Sequence, residues 1–461
     1  MARAVRKKEL TAEERLAAAL VPEEEQPYKV PGNWCWVRLG SLYHVNPKND
    51  ASDDIDAAFV PMEKVSAGMS QTFEYLVQPW GKAKKGHTQF ADGDVAFAKI
   101  SPCFENRKSM IVNGLPNGIG GGTTELVILR QPAVNQHFTF WLVSTEDFIQ
   151  GGSQTYSGTV GQQRISMDYV RNYPVPLPPL PEQQRIVTLI ESLFADLDEA
   201  KEKLTAVVEG FAQRKAAILH QAFTGELTAR WREKNGVSND EWKNVSVKEV
   251  CHEVKVGIVI KPSQYYTEAG KGTPAFRSAN VREFHVDDFD WVYINEVGME
   301  VNKRSIVHTG DVLVVRSGNP GTACVVEDKF NGYNAIDIII AVPNKDKVTS
   351  NYLCAFTNSP MGRKLVSENK RGMALSHFNV SGYSKLVMPL PSIDEQREIV
   401  RILDDLFEQE QQAQSAVETV LADIDTLKKS ILARAFRGEL STNDPGEENA
   451  VEMLKEVMKK G

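Results

Sequence analysis

The stretch from Pro181 to Leu227 reads PEQQRIVTLIESLFADLDEAKEKLTAVVEGFAQRKAAILHQAFTGEL, and a diverged copy of it occurs later in the chain. Its Glu182-Gln183 pair returns as Glu395-Gln396, and its Gly225-Glu226-Leu227 ending returns as Gly438-Glu439-Leu440. Both matches lie 213 residues apart, so the two copies are in register without a gap. Two copies of equal length indicate an element whose length is constrained.

Apolar residues recur in both copies at alternating steps of four and three, which is the seam of a coiled coil. Only Arg214 and Glu410 are not apolar in the two series. Each series covers about 33 residues, or roughly 50 Å of helix. A stripe this narrow must be covered by another helix, so we predict that the two copies pair with each other. The seam positions are Ile186, Ile190, Leu193, Leu197, Leu204, Val207, Phe211 and Ile218, followed by Ile399, Leu403, Leu406, Val417, Val420, Ile424, Leu427 and Ile431.

The ends of both helices carry termination signals. Pro181 suits a first helical turn, where its missing N–H costs nothing. Ser392 with Glu395 predicts a capping box at the second helix. Gly225 and Gly438 lie where carboxyl-terminal caps are expected. Proline-rich segments precede both helices and mark the junctions with the preceding domains.

The segments between the helices predict a mixed α+β fold in tandem duplication. Gly93-Asp94 and Gly310-Asp311 each form a turn that leads into an apolar strand. Gly151 to Thr159 is predicted to be a polar loop, and the two segments otherwise diverge. The predicted organisation is an arm at 1–30, a domain at 31–178, a helix at 179–230, a domain at 231–391, a helix at 392–440 and a tail at 441–461.

The two terminal segments each predict a short helix. In the arm, Thr11 and Glu14 form a possible capping box. In the tail, Met453, Leu454 and Val457 indicate an amphipathic helix. The arm is either a solvated extension or a docking segment for a partner.

The bulk composition excludes some classes of protein. The formal net charge is −8, but residues 31–178 carry −1 and residues 241–391 carry +2, so the acidity lies in the arm, helices and tail. The chain contains no run of eighteen apolar residues, so no membrane span is predicted. The charged start predicts a cytoplasmic protein. The five cysteines are dispersed without a C-x-x-C, which argues against a disulfide framework or a zinc site.

Catalytic motifs are not found. Gly81 to Thr88 approaches a P-loop, but His87 stands where the lysine is needed. The nucleophile-elbow, dinucleotide-binding and zinc-protease patterns do not occur, and the Asn/Asp-Pro-Pro-Tyr/Phe clamp of amino-methyltransferases is also missing. The sequence therefore argues against an enzyme that acts alone, with no metal or cofactor expected in this chain.

Basic, amide and hydroxyl side chains in loops could bind a nucleic acid through phosphates and base edges. Lys99 and Arg316 both follow the repeated Gly-Asp strand, so they are equivalent positions in the two domains. In the first domain the candidates are Lys82, Lys84, Lys85, Lys99, Ser101, Arg107, Lys108, Ser153, Gln154, Ser157 and Thr159. In the second they are Lys261, Arg277, Asn280, Arg282, Arg316, Ser317, Asn319, Lys370, Arg371, Ser376 and His377.

The chain resembles the specificity (S) subunits of type I restriction–modification systems. The resemblance rests on the two PLP-x-x-EQ-R-IV-like junctions, the paired heptad helices and the AFTGEL and AFRGEL endings. It implies two target-recognition domains separated by an antiparallel coiled coil, each domain reading one half of a bipartite site in double-stranded DNA. It also implies docking of two methyltransferase subunits and of restriction subunits, which supply S-adenosylmethionine, ATP and Mg chemistry.

Because the two domains differ, the target is expected to be asymmetric, and binding is expected to weaken with salt through counterion release. A rod of roughly 50 Å suits half-sites about one helical turn apart, ~34–36 Å centre to centre. Two other classes stay open from the residues alone. One is a coiled-coil adaptor whose domains bind protein, and the other is a stand-alone DNA-modifying enzyme.

Overall fold

The computed structural model describes residues 11–159, 161–238, 241–370 and 378–460. The chain divides into two compact units: the first unit is Met1–Lys203 with Val420–Gly461, and the second unit is Leu204–Thr419. The predicted boundaries treat the long helices as separate segments, whereas the compact units divide each long helix near its middle. Each unit thus contains one α+β repeat and one half of each long helix.

The described residues contain fifteen α-helices and twenty strands, besides short 3-10 turns. The helices are α1 Ala12–Ala19, α2 Leu39–Leu42, α3 Trp80–Ala83, α4 Gln136–Val143, α5 Glu146–Ser153, α6 Met167–Asn172, α7 Leu180–Thr224, α8 Ala229–Asn235, α9 Val247–Val250, α10 Glu296–Val301, α11 Ser350–Asn358, α12 Pro360–Lys370, α13 Val380–Ser384, α14 Ile393–Phe436 and α15 Ala450–Lys460. The strands are β1 Cys35–Arg38, β2 His44–Val45, β3 Asp56–Val60, β4 Leu76–Pro79, β5 Thr88–Ala91, β6 Val95–Ala98, β7 Ser109–Ile111, β8 Ile119–Gly122, β9 Leu126–Arg130, β10 Pro174–Leu177, β11 Lys243–Ser246, β12 Cys251–Val256, β13 Tyr266–Thr267, β14 Thr273–Phe276, β15 Val292–Ile294, β16 Val312–Val315, β17 Ala323–Val325, β18 Asn334–Ala335, β19 Ile338–Pro343 and β20 Val387–Leu390.

The first unit is built around a sheet that is buried on both faces. Its sheets have the strand orders β1-β10, β2-β9-β6-β7 and β4-β3-β8-β5. In β6, Val95 and Phe97 belong to the core shared with α4 and α5. Ala96 faces the other way and packs with Phe90 in a core between the two larger sheets. Because both faces are covered, the strand is apolar throughout rather than alternating.

The second unit repeats this architecture. Its sheets have the orders β11-β20, β12-β19-β16-β17 and β13-β15-β14-β18. In β16, Val312 and Val314 pack in the helical core, while Leu313 and Val315 pack in a second core on the opposite face. The predicted α+β fold, its tandem duplication and the strands after the two Gly-Asp turns are confirmed.

The outermost sheets of the two units differ at their edges. Both contain a parallel pair, β3 with β8 in the first unit and β14 with β18 in the second. The fourth strand is β5, beside β8, in the first unit. In the second unit it is β13, on the far side of β15. The two repeats therefore share a core topology and differ in what surrounds it.

The halves of α7 and α14 run antiparallel in the first unit. Lys201 pairs with Asp425 at 3.1 Å, and Asp198 pairs with Lys428 at 2.5 Å. Moving three residues forward along one helix thus moves three residues backward along the other. At least one partner of each pair is exposed, so each adds little stability, but the pairs report the register.

The two residues that interrupt the predicted seams contact each other in the second unit. The Nε atom of Arg214 lies 3.1 Å from both carboxylate oxygens of Glu410. The Arg214 guanidinium also covers the ring of Phe211, 4.4 Å from its centroid. The polar interruption is therefore a matched pair rather than two independent defects.

Burial along the predicted seam is uneven. Ile186, Ile190, Phe211, Ile399, Leu403 and Ile424 are buried. Leu193, Leu197, Leu204, Ile218, Leu406, Val417 and Ile431 are half-buried, and Val207, Val420 and Leu427 are exposed. Residues outside the seam, such as Phe194, Leu219 and Leu432, are buried against the α+β repeats instead. The helices are thus part of the domain cores near their ends, which a two-helix seam alone does not predict.

The repeated Glu-Gln pair begins each long helix and fixes it to its unit. The Gln183 carbonyl accepts the backbone N–H of Asn135 at 3.0 Å, and its amide donates to the Pro178 carbonyl. Gln396 likewise accepts the backbone N–H of Thr349 at 2.9 Å. Asn135 and Thr349 are the N-caps of α4 and α11. The same side chain therefore positions the same helix in both repeats.

The predicted capping box at Ser392 forms only in half. The Ser392 hydroxyl accepts the Glu395 N–H at 3.3 Å, but the Glu395 carboxylate does not return to Ser392. It accepts hydrogen bonds from Thr228 and Arg232 instead. The predicted box at Thr11 and Glu14, by contrast, is complete. Gly225 and Gly438 follow the long helices at positive φ, as predicted for caps.

The segment Gly151 to Thr159 is not wholly a loop, because its first three residues end α5. Gly152 is required there by packing. A Cβ at Gly152 would lie 2.6 Å from Cζ of Phe104 and 3.1 Å from Tyr169. The absence of a side chain lets the helix approach these rings, which outweighs the low helix propensity of glycine.

The predicted terminal helices both form and pack together. Helices α1 and α15 are in contact. Ala19 of α1 and Leu454 and Met458 of α15 join the main core of the first unit. Val21 extends the small sheet, because its N–H donates to the Trp36 carbonyl at 3.0 Å.

Candidate nucleic-acid interface

Two loops meet at the end of β6 in the first unit. The first loop is Lys99 to Lys108 and the second is Gln154 to Arg164. The backbone of Lys99 accepts the N–H of Ile165 at 3.0 Å, and Ser101 donates its N–H to the Gln163 carbonyl at 2.8 Å. Ser157 and Arg164 exchange backbone hydrogen bonds of 3.0 and 2.9 Å, so the second loop closes as a hairpin.

The second unit repeats this junction at the end of β16. Phe378 donates its backbone N–H to the Arg316 carbonyl at 3.2 Å. Phe378 lies 213 residues after Ile165, the same offset as that of the long helices. Lys99 and Arg316 thus occupy equivalent positions, as the Gly-Asp repeat predicts. Residues 371–377, which precede Phe378, lie outside the described part of the chain.

An arginine is fixed at this junction in both units, but by different partners. In the first unit, Arg164 of the second loop makes a bidentate contact with Glu125, with a shortest distance of 2.7 Å. In the second unit, Arg316 of the first loop contacts Asp337 at 2.5 Å and donates to the Phe378 carbonyl at 3.0 Å. The two junctions therefore present different chemistry on the same frame.

Half-buried polar side chains, Ser101, Glu105 and Tyr156, lie on the two loops of the first unit. Ser101 donates its hydroxyl to Glu105 at 2.8 Å. Burial raises the pKa of Tyr156, and the neighbouring Glu105 carboxylate raises it further. The Tyr156 ring packs edge-on against Phe104, with ring centroids 6.4 Å apart. These contacts hold the loops at a defined separation.

The other candidates of the first unit are partly exposed and partly engaged. Lys82, Lys85, Gln154, Ser157 and Thr159 are exposed, while Lys99 and Ser153 are half-buried. Lys84 pairs with Asp53, Arg107 pairs with Glu146, and Lys108 donates to the Met62 carbonyl. Lys82, Lys84 and Lys85 follow or belong to α3, which packs on β3, β4 and β8 rather than at the loop junction.

The second unit places its candidates at several sites. Asn280 is fully buried, and its amide donates to the carbonyls of Asp287 and Phe289, so it supports the fold. Arg277 and Arg282 pair with Asp290 and Asp287, respectively. Lys261 and Asn319 are exposed and Ser317 is half-buried. Lys370 ends α12, whereas Arg371, Ser376 and His377 lie outside the described residues.

Arg164, Glu125 and Asp337 lie at the junctions but were not among the candidates predicted from the sequence. The offset of 213 residues aligns Arg164 with His377, which was a candidate, so the repeat itself carries a signal for Arg164. Glu125 and Asp337 carry no such signal, because their role depends on which arginine each contacts.

The P-loop-like pattern has no structural counterpart in the described part of the chain. Within it, no group of three or more His, Cys, Asp or Glu side chains is arranged to hold a metal ion. The P-loop-like segment begins inside α3, so its glycines do not form a phosphate-binding loop ahead of a helix. All five cysteines are free thiols in this structure. None of the helices in the described ranges could span a lipid bilayer.

Two α+β repeats with different loops on the same frame, attached to long antiparallel helices, define a duplicated recognition protein. Residues 31–209 and 239–419 each match the family described as "Type I restriction modification DNA specificity domain". These two matches cover most of the chain, and the protein belongs to this family.

Curated relatives of this chain are named as specificity subunits of type I restriction enzymes. The chain is 27% identical over 509 aligned positions to the type I restriction enzyme EcoEI specificity subunit of Escherichia coli, covering 89% of this chain and 84% of that protein. It is 36% identical over 202 residues to the EcoAI specificity subunit of Escherichia coli, an alignment that covers 43% of this chain and only 34% of that relative.

Solved structures share the fold. The HsdS subunit from Thermoanaerobacter tengcongensis superimposes with a TM-score of 0.66 at 21% identity, covering 90% of this chain and all of that one. A chain from a structural study of complex assembly in a type I R-M system gives a TM-score of 0.67 at 23% identity, with the same coverage.

Proposed function

We propose that this chain is the specificity subunit of a type I restriction–modification complex and reads an asymmetric, bipartite site in double-stranded DNA. Each unit reads one half-site through the loop junction at the end of its central sheet. The observation that carries the proposal is that the two junctions share a backbone frame but differ in chemistry, with Arg164 fixed by Glu125 in one and Arg316 fixed by Asp337 in the other.

The long helices set the spacing between the half-sites and dock two methyltransferase subunits. The Arg214–Glu410 pair in the second unit and the Lys201–Asp425 pair in the first show their register. Helices whose length and register are fixed suit a spacer. Their exposed seam residues, such as Leu427 at 48% exposure, offer apolar surface to a further helix.

Catalysis belongs to the partners in this proposal. The methyltransferase subunits bind S-adenosylmethionine, and restriction subunits use ATP and Mg. The specificity subunit works with them in the cytoplasm.

A domain exchange tests the proposal. Residues 31–178 are replaced by the equivalent domain of another family member, the complex is expressed with its methyltransferase, and host DNA is sequenced for methylated bases. One half-site is expected to change while the other stays as in the wild type. The matched exchange of residues 241–391 should change the other half only. A change in both halves, or in neither, contradicts modular recognition.

A further inference from the structure

An exposed apolar tip follows β12 in the second unit. Val259 is 49% exposed and Ile260 is 76% exposed. The next residue, Lys261, is also exposed and has a φ of 42°, which is unusual for a residue with a side chain. A largely exposed isoleucine beside a lysine has no packing role within this unit.

The tip is held rigidly at both ends. Ile258 is buried, donates its N–H to the Ala335 carbonyl at 2.8 Å and accepts the Asp337 N–H at 3.0 Å. On the other side, Lys261 accepts the N–H of Gln264 at 3.1 Å and begins a 3-10 turn. A surface that is already ordered loses little conformational entropy when it binds.

The tip lies next to the loop junction of the second unit. Asp337, whose backbone bonds to Ile258, uses its carboxylate to hold Arg316. Arg316 in turn contacts the Phe378 carbonyl. Ile260 is therefore only two residues from Ile258, which hydrogen-bonds directly to Asp337. Asp337 is the residue that positions Arg316.

The first unit has no equivalent tip, because its strand ends earlier. There, Val45 pairs with Leu129, and the side chain of Asn46 accepts the Ile128 N–H as the chain leaves the sheet. In the second unit, pairing continues through Val256 opposite Ile339, and then through Gly257 and Ile258. The longer strand carries the tip to the edge where Arg316 lies.

We propose that Ile260 is a specificity-determining residue of the second unit, making an apolar contact with the 5-methyl group of a thymine in one half-site. Lys261 binds a neighbouring phosphate. Apolar side chains read the thymine methyl group in the major groove, and lysines supply sequence-independent phosphate contacts. This inference rests on the proposed function, since it assumes that the Arg316 junction faces DNA.

The test begins with methylome sequencing of hosts that express the complete complex with wild-type chain or with Ile260→Ser. The variant is expected to lose discrimination at one thymine-containing base pair of one half-site and to leave the other half-site unchanged. Val297→Ser is the control, because Val297 is also exposed (66%) and belongs to α10 of the same unit. Its methylated motif should match the wild type.

A binding experiment isolates the methyl group. Duplexes with uracil in place of thymine at that position should bind the wild-type complex about 3- to 10-fold more weakly, as expected for one lost apolar contact. Ile260→Ser should bind both duplexes equally, and Ile260→Val should retain the preference.

The outcomes separate this inference from the proposed function. A wild-type methylome without a bipartite motif overturns the proposed function and the inference with it. A bipartite wild-type motif that is unchanged in Ile260→Ser, with unchanged affinity, overturns the inference alone. Loss of methyltransferase binding by Ile260→Ser, with DNA binding intact, also overturns it and makes the tip a protein-docking surface.

Discussion

Arg232 and Glu395 form an ion pair inside the second unit, with Nη1 and Oε1 separated by 2.5 Å and with both side chains almost completely buried. Thr228 and Trp242 also donate to this carboxylate. The equivalent Glu182 in the first unit is buried as well, but it accepts hydrogen bonds from Trp34 and Asn443, which are neutral. One repeated glutamate is thus satisfied by charge in one unit and by neutral donors in the other.

Removing Arg232 should destabilise the second unit strongly. Arg232→Met leaves the Glu395 carboxylate buried without its cation, which typically costs about 3–5 kcal/mol. Hydrogen exchange during urea unfolding should show earlier opening of peptides from residues 204–419, with the first unit unaffected.

Two variants serve as controls for this prediction. The double variant Arg232→Met with Glu395→Met should be less destabilised than the single variant, because no buried charge is left unpaired. Glu182→Gln in the first unit should cost less, about 1–3 kcal/mol, since it disturbs hydrogen bonds without exposing a buried charge. If Arg232→Met lowers the free energy of unfolding no more than Glu182→Gln does, this explanation of the buried ion pair is wrong.

The same Asp→Asn substitution is expected to have opposite effects on stability at the two repeated Gly-Asp turns. Asp94 is held by Arg130, with both distances 2.7 Å. Asp311 is buried too, but its carboxylate accepts the backbone N–H of His308 at 2.8 Å, and a valine, Val342, takes the place of the arginine. Asp94→Asn should therefore destabilise by about 1–3 kcal/mol, while Asp311→Asn should stabilise at pH 7.

The pH dependence distinguishes this explanation from a packing effect. Burial raises the pKa of Asp311 above its ordinary value of 3.8, although the His308 N–H and nearby lysines oppose the shift. Its stabilising contribution is therefore complete below about pH 4 and is lost as the pH rises through the folded-state pKa. The advantage of Asp311→Asn in thermal unfolding should shrink as the pH falls toward 4. A gap that is constant with pH contradicts the assignment.

Gly152 should tolerate alanine poorly even though it lies in a helix. Alanine normally stabilises an exposed helix by about 0.5–1 kcal/mol relative to glycine. At Gly152 the added Cβ would lie 2.6 Å from Phe104, so we expect a loss of about 1–3 kcal/mol and weaker binding of one half-site. Differential scanning calorimetry and duplex binding would measure both.

Gly210 in α7 is the matched control. A Cβ there would lie 2.7 Å from Nη1 of Arg214, the movable end of a long exposed side chain, and not against packed rings. Gly210→Ala should therefore raise stability by roughly 0.5–1 kcal/mol. If both glycine variants stabilise, the close packing at Gly152 is not a constraint.

Local patterns in the sequence predict much of this structure, and long-range contacts explain the rest. The 213-residue repeat predicts both long helices, and the Gly-Asp turns predict β6 and β16. The Ser392 capping box fails because Glu395 is taken by Arg232, which is 163 residues away in the chain. Nothing in the sequence around Glu395 indicates that its carboxylate bonds to Arg232 and not to Ser392.

The sequence-based candidates for the interface do not separate buried from exposed side chains, because burial depends on long-range contacts. Residue type identified Arg316 and Asn280 equally well, but Asn280 is buried by carbonyls that only the folded unit brings to it. Ile260 was not a candidate because an isoleucine in sequence suggests core. Its exposure follows from the extra length of β12 and is visible only in the structure.

The spacer role of the long helices predicts how the recognised DNA changes when their length changes. Seven residues inserted after Val207 in α7 and seven after Val417 in α14 would lengthen both helices by about 10 Å. At about 3.4 Å per base pair, the spacer between the half-sites should grow by about three base pairs, with both half-sites unchanged. An insertion in one helix alone shifts one partner of pairs such as Arg214 and Glu410, so it should reduce stability and methylation instead. Methylome sequencing of the three strains reads out the spacer directly, and a doubly extended protein that keeps the wild-type spacer would show that the helices do not set it.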